Sequence, residues 1–178
     1  SAGVFEEVAR YLTYRFWARD ARTWSLGLML GAGHCGVEAL VLGFLVLANV
    51  LFLIGFQSGA FEALVPEEQA AQLRDQLAAM LDVPWYATLV GALERAFALT
   101  VHLALSLLVL QAFIRGSIGW LFAAIAWHAL LDFVAVFAVA QWNVYVAEAG
   151  LALLALASLA IILALKPRSP PPMPAAEP

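Results

Sequence analysis

The stretch Gly31-Ala32-Gly33-His34-Cys35-Gly36-Val37-Glu38 lies inside a long apolar run, and its reading decides the fold. Between Arg22 and Glu62 the only ionisable side chains besides Cys35 are His34 and Glu38. A run this long and this poor in charge reads as a membrane span. Residues four apart share one face of a helix, so an imidazole and a carboxylate stand together within the bilayer. Ionisable groups at that depth are costly and face a bundle interior rather than lipid. This face is therefore the first candidate for chemistry.

The rest of the chain agrees with a membrane protein. Only 12% of its 178 residues are charged and its mean hydropathy is +0.89, against roughly 25% charged residues in a soluble domain. Nine basic and 13 acidic side chains leave a net charge of −4, with no basic stripe interleaved with aromatics. That excludes the footprint of a nucleic-acid partner. A single cysteine excludes an internal disulfide. Two glutamates and several arginines within residues 1–20 break the apolar core a cleavable signal needs. The opening on Ser1, with helix-like sequence already at Gly3, leads us to expect a fragment or a processed form.

Outward from the quoted stretch, the expected fold is all-α: a polytopic membrane helix bundle of about five transmembrane helices plus a short extramembrane amphipathic helix. The first helix runs from about Gly3 to Arg19, with Phe5, Val8, Leu12 and Phe16 as its apolar stripe; read alone it is a weak span. The second covers Thr23 to Phe56. Residues 57–84 form an acidic insert outside the cytoplasm, with an amphipathic helix from Pro66 to Leu81. The third spans Trp85 to Arg115, the fourth follows the turn at Gly116 to Gly119 and ends near Trp142, and the fifth covers Asn143 to Lys166. Residues 1–166 make one transmembrane helical domain, and the proline-rich tail 167–178 is expected to be disordered. Arg15, Arg19, Arg22, Arg115, Lys166 and Arg168 fall on one side, which marks it as cytoplasmic. The expected location is a membrane, with the C-terminal tail in the cytoplasm.

Depth supplies the strongest signal. From Arg19 back to Glu6, Arg22 to His34, Arg115 back to His102 and Gly116 to His128, each separation is 12–13 residues, or roughly 18–20 Å of helix. Four groups on four helices share one level, and all three histidines of the chain are among them. Each histidine has a polar residue four positions on, Glu38, Ser106 or Asp132, able to fix its tautomer. Glu6 and Glu7 point about 100° apart, so only one of them faces the site squarely. Arg10, one turn from Glu6, offsets carboxylate repulsion.

A lone buried histidine is more often a packing partner than a ligand, but three at one depth with carboxylates favour a functional site. A carboxylate beside imidazoles can activate water, and a second imidazole can stabilise a tetrahedral oxyanion, which are the requirements for hydrolysing a peptide bond. The same groups could hold zinc with a position open for water. No HExxH motif is present, and spacing alone is equally compatible with a metal-free mechanism.

Phe5-Glu6-Glu7-Val8-Ala9-Arg10-Tyr11, GAGHCGVEA at 31–39, Glu94-Arg95 with His102 and Ser106, and His128-Ala129-Leu130-Leu131-Asp132-Phe133 together resemble the YhfC family of intramembrane metalloproteases. That family is similar to PrsW and to the CAAX-type (CPBP/Abi) membrane proteases. The resemblance runs in order from Gly3 to about Trp142. It implies that Glu6 and Glu7 are the paired glutamates thought to activate water and Arg10 their basic partner. His102 and His128 correspond to the imidazoles of the third and fourth motifs, and Asp132 to the closing Asn/Asp. Arg10 comes one position earlier than in the EExxxR form, and neither Leu30 nor Ala98 supplies the Phe of FxxxH, so His34 and His102 compete for that motif. The family also has helices before its Glu-Glu motif.

The expectation is a membrane-embedded endopeptidase with Glu6, Glu7, Arg10, His34, Glu38, His102, His128 and Asp132 at its centre, zinc on His34, His102 and His128 if a metal is used, and a membrane protein or peptide as substrate. A noncatalytic scaffold, like the gamma-secretase subunit related to this superfamily, or a proton- or ion-coupled transporter is the alternative.

Overall fold

A computed structural model describes residues 2–61 and 65–167. The helices, in order, are α1 (Ala2–Leu12), continued by a π-helical turn at Thr13–Trp17, then α2 (Trp24–Gln57), α3 (Glu67–Leu81), α4 (Ala87–Ile114), α5 (Gly119–Gln141) and α6 (Val144–Ala164). The described residues contain no strand. Four helices, α2, α4, α5 and α6, are long and apolar enough to cross a membrane; α1, of 11 residues, is shorter. The chain is an integral membrane protein, all-α as expected. The expected tail disorder falls, beyond Pro167, outside the described residues.

Local chemistry explains the boundaries. Asn143 caps α6, its side chain accepting a hydrogen bond from the Val146 N–H at 3.1 Å. Pro66, which has no N–H to lose, precedes α3. Gly116, at φ +64°, turns the chain between α4 and α5 in a conformation that disfavours a side chain. The first helix departs from a regular α-helix because the Ala18 N–H reaches back five residues to the Thr13 carbonyl, at 2.8 Å. The Arg22 guanidinium then closes that end, donating to the carbonyls of Tyr14, Ala18 and Ala21 at 3.0–3.2 Å.

The chain divides into two compact units, Ser1–His34 with Ala96–Pro178, and Cys35–Arg95. In the first, the later part of α4 is the centre: from Val101 to Ala112 every residue but Leu103 is buried. Its core joins Val101, Leu105, Leu107 and Leu110 with Tyr14, Leu121, Ala124 and Ile162. α1 packs on α5 and α5 on α6, and the buried Ser158 hydroxyl accepts from the Trp127 indole at 3.0 Å to tie α5 to α6. The outer faces carry Phe122, Val136 and Leu153, each more than 60% exposed, as lipid contact requires. Arg22 lies over Phe113, Arg115 over Trp120 and Lys166 over Trp24, so these three cations collect at one end of this unit. In the second unit α3 buries Ala70 and Leu77, and Phe52 stacks on Phe61. Arg95 pairs there with Glu94 and, at 3.5 Å, with Glu38.

Candidate functional site

The first unit brings the three imidazoles together. The His34 and His102 rings are 5.2 Å apart and the His102 and His128 rings 5.7 Å, by centroid. Two close approaches make this possible. A Cβ on Gly31 would stand 2.9 Å from the His102 carbonyl oxygen and 3.0 Å from the Leu103 Cα, so α2 reaches α4 backbone to backbone one turn before His34. A Cβ on Gly3 would stand 3.0 Å from the His128 Cβ, which brings the start of α1 against α5. Small residues spaced four apart let membrane helices approach in this way, and Gly27 and Gly31 form such a pair on α2. That signal lay in the sequence beside His34.

Both glutamates of α1 reach the centre, in different ways. Glu7 is fully buried. Its Oε1 and Oε2 accept from Nη1 of Arg10 at 3.0 and 2.8 Å, and its Oε1 is 2.9 Å from His128 Nδ1. Glu6 is about a third exposed; its Oε2 is 3.3 Å from His34 Nε2 and 3.9 Å from His128 Nε2. Helical spacing admits Arg10 as partner of either glutamate, and it takes Glu7 rather than Glu6 because its second amino group is drawn to His102 Nδ1, at 3.0 Å. Asp132 Oδ1 is 3.7 Å from His128 Nε2, where its i, i+4 spacing puts it. Glu38 belongs to the second unit, one turn beyond His34 on α2, and its ion pair there is with Arg95.

Ser106 does not serve as the expected partner of His102. Its hydroxyl donates to the Gly27 carbonyl at 2.8 Å and receives the Tyr14 hydroxyl at 2.8 Å, because α2 passes so close to α4 that the Gly27 carbonyl captures it. Tyr14, wholly buried, is a pillar of the site that composition gave no reason to single out.

Glu6, His34 and His102 offer ligand atoms within 4.8 Å of one another. Imidazoles with a carboxylate beside them are the residue types of a hydrolytic zinc centre. The bundle and its buried imidazole and carboxylate cluster thus define a membrane-embedded protein with a centre suited to water activation. Comparison places it more closely: the family described as YhfC intramembrane metalloprotease matches residues 1–152, and the chain belongs to that family. It is similar to an uncharacterized membrane protein, YhfC, of Bacillus subtilis strain 168, with 38% identity over 140 residues, covering 76% of this chain and 53% of the relative. The chain therefore spans about half the length of that relative. No solved structure matches.

Proposed function

We propose that the chain carries the hydrolytic centre of an intramembrane endopeptidase acting on membrane proteins or peptides, with Glu6 as the general base. The observation that carries this reading is the position of the Glu6 carboxylate, partly accessible and within 3.9 Å of Nε2 on both His34 and His128. A base must reach both the attacking water and the leaving nitrogen, which receives the proton, and Glu6 has that freedom. Glu7 does not: wholly buried and held by Arg10 and His128, it acts as a strut. Glu6 takes a proton from water as the oxygen attacks the scissile carbonyl, and returns it to the departing amine. An imidazole N–H aimed at the developing oxyanion stabilises it most strongly in a site that excludes bulk water. A zinc ion held by imidazoles of this centre would polarise the carbonyl and acidify the water.

The family's description supports this reading, and the bacterial relative, a membrane protein, supports the membrane setting. The three cations at one end of the first unit support a cytoplasmic position for that end, and with it for the C-terminal tail, in a bacterial plasma membrane. The test is cleavage of a single-span peptide co-reconstituted in liposomes. Glu6→Gln lowers the rate by about 100-fold or more while the helix content and elution volume stay those of the parent. Undiminished cleavage by Glu6→Gln removes the proposed base.

A further inference from the structure

Arg10, 5% exposed, stands between two of the histidines and touches one directly and the other through Glu7. A guanidinium has five N–H groups and no acceptor. Where Nη2 of Arg10 meets Nδ1 of His102 at 3.0 Å, the ring nitrogen must therefore accept. A neutral imidazole has one N–H and one lone pair, so the hydrogen of His102 sits on Nε2. The second chain of contacts has the opposite result. Glu7, paired with Arg10 through both oxygens, is an ionised acceptor, and the His128 Nδ1 at 2.9 Å donates to it. In the neutral ring, the form a metal takes, the His128 lone pair is then on Nε2, which faces Glu6 at 3.9 Å and Asp132 at 3.7 Å.

A metal takes an imidazole through its lone pair, and a ligating histidine commonly donates its other N–H to a carboxylate. His128 has that arrangement. His102 has the reverse: a metal on its Nε2 would move the hydrogen to Nδ1, where it would point at an Arg10 N–H. Proximity alone groups His102, and not His128, with Glu6 and His34; the direction of the hydrogen bonds argues the reverse.

We infer that Arg10 sets His128 and His102 in opposite tautomers, so that His34 and His128 are the imidazoles that hold a metal and His102 is an N–H donor to the reacting carbonyl oxygen. Arg10 is a positioning residue, acting through both rings. The metal part rests on the peptidase reading only in taking the centre to hold a divalent cation; the tautomers rest on the hydrogen bonds alone.

The experiment uses the full chain in lipid nanodiscs with Zn2+ alone as the probe. In metal-free parent protein labelled with 15N at histidine, one-bond coupling finds the His102 hydrogen on Nε2 and not on Nδ1, and a hydrogen on Nδ1 of His128. In Arg10→Lys, whose ammonium lacks the fork needed to serve Glu7 and His102 together, at least one of the two rings becomes a mixture of tautomers. By competition with a chelator, His34→Gln and His128→Gln weaken zinc binding by about 100-fold or more, whereas His102→Gln changes it by less than about tenfold. A hydrogen on Nδ1 of His102, or a loss of zinc in His102→Gln equal to that in His34→Gln, overturns the inference. A parent protein that takes up no zinc overturns the ligand assignment. Zinc uptake and tautomers as stated, without peptide cleavage, count against the peptidase reading alone.

Discussion

Glu7 and Arg10 form a buried pair in which one guanidinium nitrogen lies 3.0 and 2.8 Å from the two carboxylate oxygens, with Glu7 wholly excluded from solvent. Removing one charge from such a pair leaves the other buried and uncompensated, at a cost of about 3–5 kcal/mol. Glu7→Gln is therefore expected to lower the unfolding midpoint of the purified protein in detergent sharply. Glu6→Gln, at a group a third exposed with no cationic partner of this kind, should leave it near the parent value. Equal midpoints for the two variants would show that the glutamates do not divide the structural and chemical work.

The approach of α2 to α4 is set by a missing methyl group. A Cβ at Gly31 would meet backbone atoms of His102 and Leu103 at 2.9 and 3.0 Å, and backbone cannot rotate out of the way. Gly31→Ala should push the helices apart and move His34 from His102. A displacement near 1 Å at a reacting group can cost about 100-fold in rate. Gly33→Ala is the control, because a Cβ there meets nothing within 4 Å. The measurement is peptide cleavage by both variants at matched helix content, with Gly33→Ala within a few-fold of the parent.

Tyr14 and Ser106 should behave as one unit. Tyr14→Phe removes the donor to the buried Ser106 hydroxyl, and Ser106→Ala leaves the Tyr14 hydroxyl without that acceptor. Each loss is expected to cost about 1–3 kcal/mol, and the double variant less than the sum of the singles. Additive losses in equilibrium unfolding would mean that the two hydroxyls are not coupled.

Much of this was legible from sequence because a bilayer punishes charge. Pro66, Gly116 and Asn143 mark helix ends by their own backbone chemistry, and α3, α4, α5 and α6 each begin or end within three residues of one of them. The common depth of Glu6, His34, His102 and His128 followed from counting along rigid rods, and the rings do meet. Rotation about the rods was harder to read. Glu6 and Glu7 are both within helical reach of Arg10, and only the presence of His102 on another helix decides between them. The π-helical turn at Thr13–Trp17 shifts the register of Tyr14 by a backbone hydrogen bond that no residue type announces. Ser106 stands one turn from His102 along its own helix, whereas its bonds run across to Gly27 and Tyr14, a tertiary contact that i, i+4 spacing cannot foresee.

The clustering of Arg22, Arg115 and Lys166 at one end of the first unit predicts orientation. Positively charged short loops stay in the cytoplasm. A fluorescent-protein fusion after residue 178 should fluoresce, and an alkaline phosphatase fusion there should be inactive. An active phosphatase would reverse the topology.

The central claim, that Glu6 activates water against a peptide bond beside His34 and His128, is tested most directly by following the oxygen atom. A single-span peptide reconstituted with the zinc-loaded chain in water enriched in heavy oxygen should yield one new carboxyl terminus carrying a single heavy oxygen, seen by mass spectrometry. Glu6→Gln, folded and equally loaded, should yield less than about a hundredth of that product. Labelled product at parental levels from Glu6→Gln, or none from the parent protein, would contradict the account.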